Sequence, residues 1–136
     1  MPSFRDTATA AAPAEDVWKL LYDPARFPDW WAGIGSVDVS SEREYTMYPE
    51  GYSDFPMPQL LDTRSDEQRV TVSCLVSDLR FEWRLEADGG QTRISVEVEI
   101  PEAEAERLDQ QRDVISRSVR RLAALAAQAD SPGAIA

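Results

Sequence analysis

The stretch Val70-Thr-Val-Ser-Cys-Leu-Val-Ser-Asp-Leu-Arg-Phe-Glu-Trp-Arg-Leu-Glu-Ala-Asp-Gly-Gly-Gln-Thr-Arg-Ile-Ser-Val-Glu-Val-Glu-Ile100 decides the fold. Val70, Val72, Cys74 and Val76 alternate with Thr71, Ser73, Leu75 and Ser77. Leu79, Phe81, Trp83 and Leu85 then alternate with Arg80, Glu82, Arg84 and Glu86, and Ile94, Val96, Val98 and Ile100 with Arg93, Ser95, Glu97 and Glu99. Three successive runs of period two predict an antiparallel meander with one apolar and one wet face. A tight turn at Ser77-Asp78 predicts Cys74 opposite Phe81, Val72 opposite Trp83 and Val70 opposite Leu85. A Gly89-Gly90 turn, whose residues tolerate positive φ, predicts Trp83 opposite Val96 and Leu85 opposite Ile94. On the wet face the same register pairs Glu86 with Arg93 and Arg80 with Glu99, but sets Glu82 against Glu97. Each such pair carries about 0.2–1 kcal/mol.

Downstream, Pro101 ends the meander and a helix is expected over Glu102–Ala129. Glu102, Glu104 and Glu106 crowd its start and Arg117, Arg120 and Arg121 its second half, a polarity that complements the helix dipole. Leu108, Ile115, Val119, Leu122 and Ala126 form one apolar stripe. Such a helix is roughly 40 Å long, enough to cross a whole sheet. Residues 130–136 are expected to fray, leaving a single domain over 1–129. Upstream, Phe4 to Ala10 reads as a strand, and Pro13 opens a short helix with Val17, Leu20 and Leu21 on its apolar face. Asp23-Pro24 caps and starts a second short helix that Pro28, Gly33 and Gly35 keep brief. From Ser36 to Tyr48 the pattern is strand-like. Pro49 to Pro58, with three prolines and a glycine, implies an exposed loop or edge strand. Leu60 to Arg64 reads as a strand whose inward face the pattern leaves open.

These elements predict an α+β architecture. A helix about 10 Å wide cannot cover six or seven strands spaced ~4.8 Å apart, so the antiparallel sheet must curl around the C-terminal helix. The remaining hollow is plugged at one end by the two short helices that follow the first strand.

Composition narrows the chemistry. The 136 residues suit one core, and 43% hydrophobic with 29% charged residues describes a folded chain. A net charge of −11 disfavours nucleic acid and anionic membrane faces as partners. No apolar run approaches the ~20 residues of a membrane span, so no membrane insertion is expected. The N-terminal residues lack the basic-then-apolar order of a secretory signal, and a cytoplasmic location is expected. Histidine is absent, which removes imidazole metal sites and Ser-His or Cys-His nucleophile pairs. Cys74 is the only cysteine, and neither a metal nor a cofactor is expected.

The segment Ala11-Ala-Pro-Ala-Glu-Asp-Val-Trp-Lys-Leu-Leu-Tyr-Asp-Pro-Ala-Arg-Phe-Pro-Asp-Trp-Trp31 resembles the opening of the START/Bet v 1-like (SRPBCC) superfamily. It is most similar to its bacterial polyketide cyclase/dehydrase and lipid-transport group. The Gly-Gly hairpin and the closing Arg-Leu-Ala-Ala-Leu-Ala helix extend the likeness over nearly the whole chain. The resemblance implies a helix-grip fold. Its members include lipid carriers, hormone receptors, aromatase/cyclases and oxygenase domains, so it does not by itself assign an activity. The oxygenase branch needs histidine iron ligands, which this chain lacks.

Two functions follow as expectations. One is binding of a small apolar or weakly polar molecule between sheet and helix, by a monomer or weak homodimer. Its cavity is expected to involve Trp31, Tyr45, Tyr48, Tyr52, Phe55, Met57, Val72, Cys74, Phe81, Trp83, Val96, Ile115 and Val119. The other is an aromatase/cyclase that catalyses aldol cyclisation and dehydration of a poly-β-ketone. Tyr45 or Tyr48 would then move protons and Arg64 would stabilise an enolate. Each candidate also has a plainer reading. Trp30 and Trp31 suit a core as well as a pocket mouth, Tyr45, Tyr48 and Tyr52 suit an edge strand, and Asp62 with Arg64 suits a solvated face.

Overall fold

The computed structural model describes residues 3–129; the expected frayed tail lies outside the described residues. Strand β1 (Ser3–Ala10) leads into α1 (Ala14–Leu21), a 3-10 turn (Pro24–Arg26) and α2 (Phe27–Trp30). Six strands follow: β2 (Ile34–Val39), β3 (Glu44–Pro49), β4 (Met57–Arg64), β5 (Arg69–Cys74), β6 (Arg80–Asp88) and β7 (Gln91–Glu99). They make one antiparallel sheet in the order β1-β7-β6-β5-β4-β3-β2. Helix α3 (Leu108–Ala129) closes the apolar face, packed on β1, β7, α1 and α2. Ile115, Val119, Leu122 and Ala126 are fully buried there. This is the expected helix-grip fold with seven strands. Among the described residues no helix is long and apolar enough to cross a membrane.

The helix begins later than its composition implies. Glu102–Arg107 is 3-10, so α3 proper is about 33 Å long. The i→i+3 spacing of a 3-10 segment brings Arg107 to 3.3 Å from Glu104 amid the acidic cluster.

The β6–β7 register is as expected, with Trp83 opposite Val96, Leu85 opposite Ile94 and a turn at Gly89 (φ 57°) and Gly90 (φ 93°). The β5–β6 register is not. Val72 faces Phe81 and Val70 faces Trp83, two residues short of the expected pairing. The chain reverses over a longer loop instead of a two-residue turn. The Cys74 N–H donates to the Leu79 carbonyl (2.8 Å) and the Asp78 N–H to the Cys74 carbonyl (3.0 Å), with Asp78 at φ 58°. Val76, expected on the inner face, therefore sits exposed in the loop beside Leu75. Because the slip is an even number of residues, no strand residue changes face.

The juxtaposed Glu82 and Glu97 are relieved by arginines on the neighbouring strands β5 and β1 and by Arg84 on β6 itself. Glu82 accepts from Arg69 (3.4 Å) and Arg84 (3.2 Å), and Glu97 accepts from Arg5 on β1 (2.6 Å).

Candidate functional site

The end of the grip beside β2 is shut by aromatic rings. The two prolines and paired tryptophans of Pro24–Trp31 make a helix too short to cross the sheet, and it drops its rings into the gap. Phe27, Trp30 and Trp31 meet Tyr45, Phe81 and Trp83 at centroid distances of 5.0 to 5.5 Å, mostly edge to face. The Trp30 indole N–H donates to the Leu20 carbonyl (3.0 Å). Among the described residues the buried Trp83 N–H has no hydrogen-bond acceptor; its ring packs against those of Trp30 and Trp31, where an N–H can find weak compensation.

A hydroxyl ties this plug to the closing helix. Ser118, fully buried on α3, accepts from the Ala32 N–H (2.9 Å) and donates to the Val114 carbonyl (2.6 Å). The chain then turns at Gly33 (φ 89°) into β2. A Cβ at Gly35 would lie 3.1 Å from the Glu50 backbone, so a side chain there would press β2 a few tenths of an ångström away from the residue that follows β3.

Below the plug lies a cavity of about 190 Å³. Its walls come from the exit of α2 and the inner faces of β3, β4, β5 and β6, and its rim from Arg107, Gln110, Gln111 and Val114 at the start of α3. The wall is largely apolar, and its polar side chains are Tyr45, Gln59, Cys74 and the three rim residues. Among the described residues no carboxylate lines it. Tyr45 is almost wholly buried, and burial, followed by the nearby Cys74, pushes its phenol far above the usual range. It is therefore a neutral hydroxyl that can donate a hydrogen bond and cannot act as a phenolate base near neutrality. Gln59 is buried and donates one amide N–H to the Met57 carbonyl (3.2 Å). Among the described residues no group of three His, Cys, Asp or Glu side chains is placed to hold a metal.

Of the residues expected at this site, Trp31, Tyr45, Met57, Val72, Cys74 and Phe81 line the cavity. Trp83, Val96, Ile115 and Val119 do not, because they are packed against the protein's own core. Tyr48 alternates onto the far face of β3 from Tyr45 and is half-buried. Tyr52 and Phe55 stand in solvent on the β3–β4 loop. Arg64 lies on the outer face of β4, exposed and 3.3 Å from Asp62. That face is set by Met57, Gln59 and Leu61, which point inward.

Sequence reasoning missed Gln59, Leu79, Met47 and the rim residues Arg107, Gln110 and Gln111. A signal for Gln59 existed. Starting β4 at Met57 despite Pro58 carries the period-two pattern through Gln59 to Leu61. A roomier groove of about 720 Å³ crosses the outer sheet face, but its walls include Arg5, Glu82, Arg84 and Glu97, which already pair with one another.

The same architecture recurs in proteins of distant sequence. The Zhui aromatase/cyclase from Streptomyces sp. R1128 superposes with a TM-score of 0.76 at 16% identity, over 97% of each chain. The di-domain aromatase/cyclase BexL of the BE-7585A biosynthetic pathway gives 0.78 at 14% identity, with 97% of this chain matching 48% of that one. The protein XoxI from Bacillus cereus gives 0.76 at 14% identity, over 91% of this chain and 94% of that one. At such identities the likeness is one of fold. No curated protein sequence matches this chain significantly. Residues 10–122 match a family defined by sequence, and on that match the chain belongs to the polyketide cyclase / dehydrase and lipid transport family.

Proposed function

We propose that this protein binds and shields a small, mostly apolar molecule in the cavity between sheet and C-terminal helix. The observation that carries the reading is the cavity wall: apolar surface with neutral polar groups inside and a single cation, Arg107, at the rim. The cavity is open at its polar rim, and an apolar occupant takes its apolar wall out of water. An engineered cavity of about 150 Å³ admits benzene, so the size suits a one- or two-ring molecule or a short chain reaching the rim. The working unit is taken to be the domain over residues 1–129, as a monomer or weak homodimer in the cytoplasm.

Native mass spectrometry of freshly purified protein tests the reading. A co-purified molecule of this size is expected, released on denaturation. With 2-methylnaphthalene added, the melting temperature should rise with log concentration above the dissociation constant. Protein recovered at its bare mass, with no thermal shift up to the solubility of 2-methylnaphthalene, overturns it.

A second reading, cyclisation of a poly-β-ketone, is favoured by the aromatase/cyclase neighbours and by the Tyr45 phenol on the cavity wall. Tyr45 would then act as a hydrogen-bond donor to a developing enolate. Arg64 and Tyr48 lie on outer faces, so this reading does not draw on them. Cyclised product from a poly-β-ketone thioester, formed faster than without protein and slowed in Tyr45→Phe, would establish the enzyme.

A further inference from the structure

Three polar side chains inside the cavity stand in one row. Tyr45 on β3 is directly opposite Gln59 on β4, and Gln59 is directly opposite Cys74 on β5. All three are at most 4% exposed and all line the cavity. Directly opposed residues hold their Cβ atoms ~4.5–5.5 Å apart, so the three side chains leave the sheet side by side into the cavity. The row's hydrogen-bonding capacity is only partly spent within the protein. The Tyr45 side chain lines the cavity, and among the described residues its hydroxyl makes no hydrogen bond. Gln59 uses one amide N–H on its own strand, which leaves its carbonyl oxygen to accept.

We infer that this row is a recognition subsite for a hydroxyl group (phenol, enol or alcohol) carried on the buried end of an apolar ring. A neutral Tyr45 donates to the ligand oxygen, the ligand hydroxyl donates to the Gln59 oxygen, and the Cys74 sulfur provides a soft polarisable contact between them. A plain hydrocarbon leaves both protein groups unpaired, and burying an unpaired polar group is unfavourable. A ligand carbonyl satisfies Tyr45 and leaves the Gln59 oxygen without a donor. The subsite rests on the binding reading above and adds to it the functional group that the cavity selects.

The test compares 2-naphthol with 2-methylnaphthalene, which match in shape and differ in the hydroxyl, by equilibrium dialysis against wild type, Tyr45→Phe and Gln59→Leu. In wild type both compounds bind. The ratio of their dissociation constants is expected to move about tenfold against 2-naphthol in each variant, while 2-methylnaphthalene binding is retained or tightened. Retained hydrocarbon binding also shows that the variants are folded. A ratio unchanged in both variants overturns the hydroxyl subsite and leaves the binding reading standing. Failure of wild type to take up either compound overturns both.

Discussion

Tyr45 illustrates how burial sets what a residue can do. Its folded phenol holds its proton well above the usual value of 10.0, whereas in the unfolded chain it ionises normally. Stability from this difference is fully present below that value. It falls as pH rises past it, because only the unfolded state then loses the proton. The unfolding free energy of wild type, read from urea titrations, should therefore drop between pH 10 and 11 with a slope of up to about 1.4 kcal/mol per pH unit, and Tyr45→Phe should flatten that drop. Equal slopes in the two proteins would contradict the burial of this hydroxyl. Ser118 offers a second check at this scale. Ser118→Ala leaves the Ala32 N–H without its buried acceptor, and a loss of about 1–3 kcal/mol is expected in chemical unfolding. Trp31 adjoins Ala32, so the same variant should also alter tryptophan fluorescence in the folded state.

Among the elements, the hairpins show where pattern ends and turn chemistry begins. Alternation identified β5, β6 and β7 and their inner faces, since one buried face permits only even shifts of register. It could not count the loop between β5 and β6. Leu75 and Val76 continue the apolar text while the chain is already turning, and their exposure comes from a loop closed by the Cys74 and Leu79 backbone. Gly89-Gly90 was legible because two consecutive residues at positive φ favour glycine. Gly90→Ala forces a side chain into that region and should cost about 1 kcal/mol, read as a lower urea midpoint at unchanged slope. The inward face of β4 was hidden by Pro56 just before the strand and Pro58 within it. Neither Pro56 nor Pro58 stops the strand from beginning at Met57, where Pro58 lies opposite Thr46 and its carbonyl accepts from Leu75.

At the scale of the whole molecule, the incomplete cover of a seven-stranded sheet by one helix leaves the cavity. Filling it should trade capacity for stability. Cys74→Leu places extra apolar atoms against Leu79 and Phe81, and an increase of about 0.5–2 kcal/mol in unfolding free energy is expected. Uptake of 2-methylnaphthalene, followed by equilibrium dialysis, should weaken about tenfold in the same variant. Higher stability with undiminished uptake would place the bound molecule elsewhere.

Hydrophobic periodicity alone determined the strands of the meander, the long closing helix and therefore the grip, because each element must bury its one apolar face. Histidine and cysteine counts alone removed whole classes of chemistry. Which inward residues touch empty space and which touch one another was decided only by tertiary packing. Trp83, Val96, Ile115 and Val119 read the same as Phe81, Val72 and Cys74 in the sequence, yet the first group is sealed beneath the aromatic plug and α3. The physical reason is that a residue's face is a local property of its strand or helix, whereas a void is the difference between surfaces brought together from the whole chain.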